Sequence, residues 1–329
     1  MSPWRFRCGG QPEGPKDYMK TLATDLCFPE GPIAMPDGSV VLVELARGTL
    51  SRVDTEGVVS VVADLGGGPN GAAIGPDGFI YVCNNGGFDD ETDPSGRFAS
   101  QMPRQYVGGS IQRVNPQTGE TEVLYRECNG HSLRGPNDII FDESGGFWFT
   151  DLGKTWPRVH DHGGVYYASI DGQNIQEVIY PLITPNGIGI SPDSSTLYVA
   201  ETSTGRIYQW TITGPGQLDS GEGERPRSKL LYALSHGLRF DSMAVDASGY
   251  VNVGVLSLGS MAKDSGGICE ISPEGEARII PTGDPMTTNI CFGGEGHQTA
   301  FITCSDSGTL RSFPWQREGI RLPFFDKVL

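Results

Sequence analysis

One hairpin pattern occurs six times along this chain, and few folds accommodate six copies of a unit that cannot bury its own apolar face. The copies read PEGPIAMPDGSVVLVE, PNGAAIGPDGFIYVCN, PNDIIFDESGGFWFTD, PNGIGISPDSSTLYVAE, FDSMAVDASGYVNVG and TNICFGGEGHQTAFIT. In each, a strand of small and apolar residues reaches a turn such as PDG and returns as a β-branched, aromatic-rich strand. The polar anchors heading the units are Glu30, Asn70, Asn137, Asn186, Asp241 and Asn289, at intervals of 40, 67, 49, 55 and 48 residues. Blades of four strands occupy about that length. The expected fold is all-β, a six-bladed β-propeller with four-stranded antiparallel blades around a central channel.

A second hairpin follows each of the first three units, as GTLSRVDTEGVVSVVADL, GGSIQRVNPQTGETEVLYRE and GGVYYASIDGQNIQEVIYPL, and supplies the outer two strands. The 47 glycines and 23 prolines suit short strands joined by tight turns. A closed repetitive architecture also accounts for 329 residues, a length that one compact core rarely supports. Residues 1–18 read as an extension and 19–329 as a single propeller domain, in which 19–26 close the last blade as its outermost strand. The 67-residue interval contains a polar, glycine-rich insertion at about 85–108, expected to be a loop covering the mouth and helping to set specificity. Gly66, Gly68 and Gly71 satisfy G-x-G-x-x-G, but AAIGPDGFIYV continues as a hairpin where a dinucleotide site requires a helix.

Lysine and arginine total 24 against 40 aspartates and glutamates, a formal charge of −16, and no basic run occurs. This argues against nucleic acid and anionic membranes as partners and suits an acidic, soluble surface. The seven cysteines (Cys8, Cys27, Cys83, Cys128, Cys269, Cys291, Cys304) are scattered without a C-x-x-C pair, which indicates neither a disulfide framework nor a zinc site and suits a reducing compartment. The first residues lack the apolar core of a signal peptide, and no stretch of about 18 apolar residues occurs. The expected location is cytoplasmic; the oligomeric state is not indicated.

Because each anchor precedes the innermost strand of its blade, ring closure brings all six to one mouth of the channel. Two carboxylates and four amides then converge with no lysine or arginine among them. Carboxylates about 4 Å apart repel by roughly 4 kcal/mol at an effective dielectric near 20, a cost that a divalent cation turns into attraction. Oxygen donors without sulfur or imidazole favour Ca²⁺ or Mg²⁺ and tolerate Mn²⁺, whereas Zn²⁺, though possible, usually recruits histidine or cysteine. Asn70 and Asn289 read as turn caps, since a catalytic ion needs positions open to water and substrate.

On these residues the chain resembles the gluconolactonase and regucalcin (senescence marker protein) family of lactone hydrolases, over about 22–310. Diisopropyl fluorophosphatase is similar in site layout. The resemblance implies one divalent metal ion, Ca²⁺ foremost, held by Glu30 in FPEGP, Asn137 in RGPND, Asn186 in TPNGIGISPD and Asp241 in FDSMAVD, with Asp241 also the general base. It implies a small lactone as substrate, opened by water. Family members often carry Arg two residues before the first Asn; here that position is Gly135, and Arg134 lies one residue further back. Arg134, Asn70 and Trp156 are candidates for substrate contact, and Lys154 for a pocket wall beside Trp156.

Glu44, Asn84, Asp151 and Glu201 end the return strands at the same face, as an outer ring that either orients the inner one or consists of solvated turn residues; Asp151 and Glu201 are the foremost candidates for orienting it. The histidines (His131, His160, His162, His236, His297) fall in loops and form no recognisable Ser-His-Asp arrangement. Alternatives to lactone hydrolysis are phosphotriester hydrolysis at the same metal and a non-catalytic propeller that binds a ligand or protein. A carbon–nitrogen condensing enzyme like strictosidine synthase shares the architecture without further support.

Overall fold

The computed structural model describes residues 19–87, 106–156, 158–235, 237–257 and 266–328. The extension at 1–18 and most of the insertion, 88–105, lie outside the described residues. Six antiparallel sheets form a ring, a six-bladed β-propeller. From the axis outward, blade 1 consists of Pro29–Ala34, Val40–Glu44, Thr49–Val53 and Val59–Asp64. Blade 2 is built from Pro69–Ile74, Ile80–Asn84, Ser110–Val114 and Thr121–Tyr125, and blade 3 from Pro136–Phe141, Phe147–Asp151, Gly163–Ala168 and Ile175–Leu182.

Blade 4 contains Pro185–Ile190, Thr196–Glu201, Arg206–Gly214 and Ser228–Ala233, and a fifth short strand, Gln217–Leu218, pairs with its third. Leu238–Val245, Val251–Ser257, Gly267–Ile271 and Ala277–Pro281 make blade 5. In blade 6, Thr287–Gly293, Thr299–Cys304 and Thr309–Pro314 are joined by Lys20–Ala23, so the two ends of the chain share one sheet. Asn84 pairs directly with Ser110, so the insertion hangs between strands that form their ladder without it.

The return strands do not show the alternation of a half-buried strand. Val40–Glu44, Ile80–Asn84 and Phe147–Asp151 are buried at every position, because each blade is covered on both faces by its neighbours. The outer strand Val59–Asp64, by contrast, exposes half of its residues and fully buries only Ala63. Large side chains such as Trp148, Tyr81, Phe147, Phe149 and Phe240 fill the space between blades, each contributing about 1.5–3 kcal/mol or more by burial.

Every inner strand carries a register shift at its anchor. The shifts fall between Glu30 and Ile33, Pro69 and Ala72, Pro136 and Ile139, Pro185 and Ile188, Phe240 and Met243, and Thr287 and Asn289. Such bulges twist the strand and re-aim a side chain.

The C-terminal segment, an element with no counterpart in the repeat, lies across the far end of the channel. Ile320 to Phe325 cover a cavity of about 200 Å³ lined by inner-strand residues including Ile33, Ile139, Ile188 and Met243. Phe324 packs edge-on against Phe141, with ring centroids 5.8 Å apart.

Candidate metal centre and active site

Glycines set the spacing of the inner ring. A β-carbon on Gly31 would stand 2.5 Å from the Asn70 carbonyl oxygen, one on Gly71 2.5 Å from that of Asn137, and one on Gly187 2.5 Å from that of Asp241. The residue after each of these anchors thus touches the next blade's anchor, at a distance no side chain permits. This is the physical reason for a small residue in E-G and N-G.

Glu30, Asn137, Asn186 and Asp241 are 2%, 3%, 4% and 8% exposed. The Glu30 carboxylate accepts from Gly31 N at 2.9 Å and from Asn289 Nδ2 at 3.2 Å. Asn186 Oδ1 accepts from Ser242 Oγ at 3.2 Å. Burial holds the Glu30 and Asp241 carboxyls above their usual range, and the negative charge of Glu30 pushes Asp241 higher still. A buried carboxyl raised further by a neighbouring carboxylate, as Asp241 is by Glu30 and Glu30 by Asp138, is a demand for positive charge.

The amide oxygens make a complementary demand. Asn137 Oδ1 and Asn70 Oδ1 are buried and receive no hydrogen bond. Leaving such an acceptor unpartnered costs about 1–3 kcal/mol, which a cation would offset. Among the described residues no three histidine, cysteine, aspartate or glutamate side chains group as metal ligands. An ion here must complete its shell with amide oxygens, as the hard cations Ca²⁺ and Mg²⁺ accept. The donor set therefore fits a divalent metal.

A third buried carboxylate, Asp138, was not among the residues singled out from sequence, where the only signal is PND in place of PNG. It lies beneath the ring, where burial raises its carboxyl to about 7. Asn289 does more than cap a turn: its Oδ1 accepts from Ile290 N at 2.7 Å while its amide holds Glu30.

The outer ring faces loop backbone. Glu44 accepts from Cys27 N at 2.8 Å, Asn84 from Gly68 N at 2.9 Å, Asp151 from Arg134 N and Gly135 N at 2.7 Å each, and Glu201 from Ile183 N at 2.8 Å. Each donor lies two or three residues before an anchor, so the ring fixes the loops from which the anchors project.

Arg134 and Trp156 come together, the guanidinium carbon 5.5 Å from the indole centroid, and Arg134 Nε donates to Asp161 at 3.1 Å. Trp156 belongs to a small hairpin, Thr155–Trp156 with Val159–His160, that the repeat did not indicate. Lys154 is buried: its ammonium donates to the Gly87 carbonyl at 3.0 Å and to Asn85 Oδ1 at 3.4 Å, and lies 5.2 Å from the Tyr106 ring centroid. It ties the root of the insertion to blade 3.

The model of the family described as "SMP-30/Gluconolactonase/LRE-like region" matches residues 28–306. A gluconolactonase of Zymomonas mobilis is 27% identical over 312 residues, covering 87% of this chain and 79% of that protein. Among solved structures, a gluconolactonase of Xanthomonas campestris superposes with a TM-score of 0.69 at 23% identity, over 90% of this chain and 89% of that one. Regucalcin of Agrobacterium tumefaciens, described as a calcium-binding protein, gives 0.71 at 16% identity, over 92% and 95%. At these identities the structural likenesses concern the fold.

Proposed function

We propose, from the premise that this chain belongs to the SMP-30/gluconolactonase/LRE-like family, that it is a lactonase which opens a small lactone with the help of one divalent metal ion, Ca²⁺ foremost. The carrying observation is that two buried carboxyls held above their usual range, Glu30 and Asp241, stand with the unpartnered amide oxygen of Asn137 in one buried ring. Glu30, Asn137, Asn186 and Asp241 would hold the ion. The chemistry a divalent cation supplies there is polarisation of the ester carbonyl.

The residues of the chain do the rest. Asp241 takes a proton from the attacking water, whose oxygen bonds to the carbonyl carbon; the ring C–O bond breaks, and the departing alkoxide is protonated to give the hydroxy acid. Asn70, whose buried side-chain oxygen receives no hydrogen bond, is assigned to accept one from a substrate hydroxyl. Arg134 and Trp156 are assigned to the non-reacting part of the substrate. The six described cysteines are free, and no described helix is long and apolar enough to cross a membrane.

The test is hydrolysis of aldonolactones and of aromatic and enol lactones by protein stripped of metal and reloaded with Ca²⁺, Mg²⁺, Mn²⁺ or Zn²⁺. Lactonase activity that appears only on reloading is expected. Full activity in protein shown by elemental analysis to be metal-free would refute the role given to the ion.

A further inference from the structure

We propose that Asp138 is a positioning residue that fixes the spacing of Asn137, Asn186 and Asp241, and thereby sets which size of cation the ring accepts. The inference rests on the metal reading above. Three neighbouring blades meet at this one carboxylate. Its Oδ1 accepts from Ile139 N at 3.0 Å within blade 3 and its Oδ2 accepts from Ile188 N of blade 4 at 3.2 Å, while the Met243 backbone N–H of blade 5 faces it closely enough to favour its charged form. Ile188 and Met243 each lie two residues after an anchor, Asn186 and Asp241, while Asn137 is its immediate neighbour.

A second tie runs beside the first. Asp138 N donates to Thr150 Oγ1 at 3.1 Å, and that hydroxyl donates to the Asn186 carbonyl oxygen at 2.6 Å. Between blades 1 and 2, 2 and 3, and 4 and 5 a glycine after the anchor makes the approach. After Asn137 the charged Asp138 takes that position, while Ser242 and Ile290 occupy it after Asp241 and Asn289. Gly71 is hemmed in from the other side: a β-carbon there would stand 2.6 Å from the Asp138 Cα. Asp138 is thus wedged between blades 2, 4 and 5. Its charge acts on both Glu30 and Asp241.

All the backbone partners of its carboxylate are N–H donors, so both oxygens are needed as acceptors. Asp138→Asn keeps the shape but turns an NH₂ toward one of those donors. Selectivity between Ca²⁺ and Mg²⁺ depends on the size and rigidity of the cage, whereas loss of charge alone weakens both ions alike. The decisive measurement is therefore Ca²⁺ and Mg²⁺ affinity by calorimetry on full-length wild type, Asp138→Asn and Thr150→Val, with thermal unfolding to verify the fold. Asp138→Asn should bind Ca²⁺ about tenfold or more weakly, the usual scale for a residue that orients ligands. It should also change the Ca²⁺/Mg²⁺ affinity ratio by about threefold or more. Thr150→Val, which removes the second tie without touching charge, should move the ratio in the same direction by less, and it decides the question if Asp138→Asn does not fold.

Affinities within twofold of wild type, or an equal fall for both ions, would overturn the positioning role while leaving the metal reading intact. A wild-type protein that binds neither ion would overturn both.

Discussion

The Asn289 side-chain amide donates to the Glu30 carboxylate at 3.2 Å across 259 residues of sequence. It joins the inner strands of the last and first blades at the point where the ring closes. Hydrogen bonds to charged groups are worth about 1.5–3 kcal/mol, so Asn289→Ala should destabilise the metal-free protein by about 2 kcal/mol in urea unfolding. Reloading with Ca²⁺ should recover most of the loss. Unchanged stability would show that this bond does not hold Glu30.

Asp241→Asn keeps the shape and an oxygen donor but removes the charge and the proton acceptor. Metal affinity should fall modestly while turnover falls by about 10² or more, the scale for losing a positioned base. Asn186→Asp is the contrast: it adds a carboxylate, should tighten the ion, and leaves the base alone. Affinity by calorimetry and turnover by lactone assay separate the two effects. Near-normal turnover in a metal-loaded Asp241→Asn protein would remove Asp241 as the base.

Gly187→Ala should separate blades 4 and 5 at the site. Its β-carbon would stand 2.5 Å from the Asp241 carbonyl and 2.9 Å from the Ser242 Cα, both backbone atoms that cannot swing away. A cost of about 1–3 kcal/mol, typical of overpacking, and weaker metal binding are expected. Gly223→Ala has nothing nearer than 3.4 Å and should be neutral in the same unfolding assay.

Lys154 makes stability depend on pH in the alkaline range. Burial lowers its ammonium from 10.5 to about 8, partly opposed by the Asp151 carboxylate. Between those values the unfolded chain holds a proton that the folded protein has released, so stability rises with pH across that window. Below pH 8 both states are protonated and the full cost of the buried charge remains. The contribution amounts to about 3 kcal/mol at 1.36 kcal/mol per unit. The difference in unfolding free energy between wild type and Lys154→Met, followed from pH 7 to 10.5, should therefore move in favour of the wild type. A flat difference would show that Lys154 titrates normally.

The six hairpins, their order and the six anchors were legible in the sequence because pairing between adjacent strands is local. The partners in a PDG-type hairpin lie within twenty residues of each other, and alternation of small, apolar and aromatic residues reports them directly. Convergence of Glu30 and Asp241 followed from closure alone, without any knowledge of distance. The tertiary structure decided what passes between blades. That Asp138 serves three strands, that Asn289 holds Glu30 and that Lys154 is buried against Gly87 depend on blade separations of a few ångströms, set by glycine contacts and by packing of residues such as Trp148 and Phe240. The C-terminal segment over the far end of the channel was equally invisible, because Phe324 meets Phe141 only once the ring exists. A repeat specifies each blade from within; the contacts that shape the site arise between blades, where sequence separation carries no information about proximity.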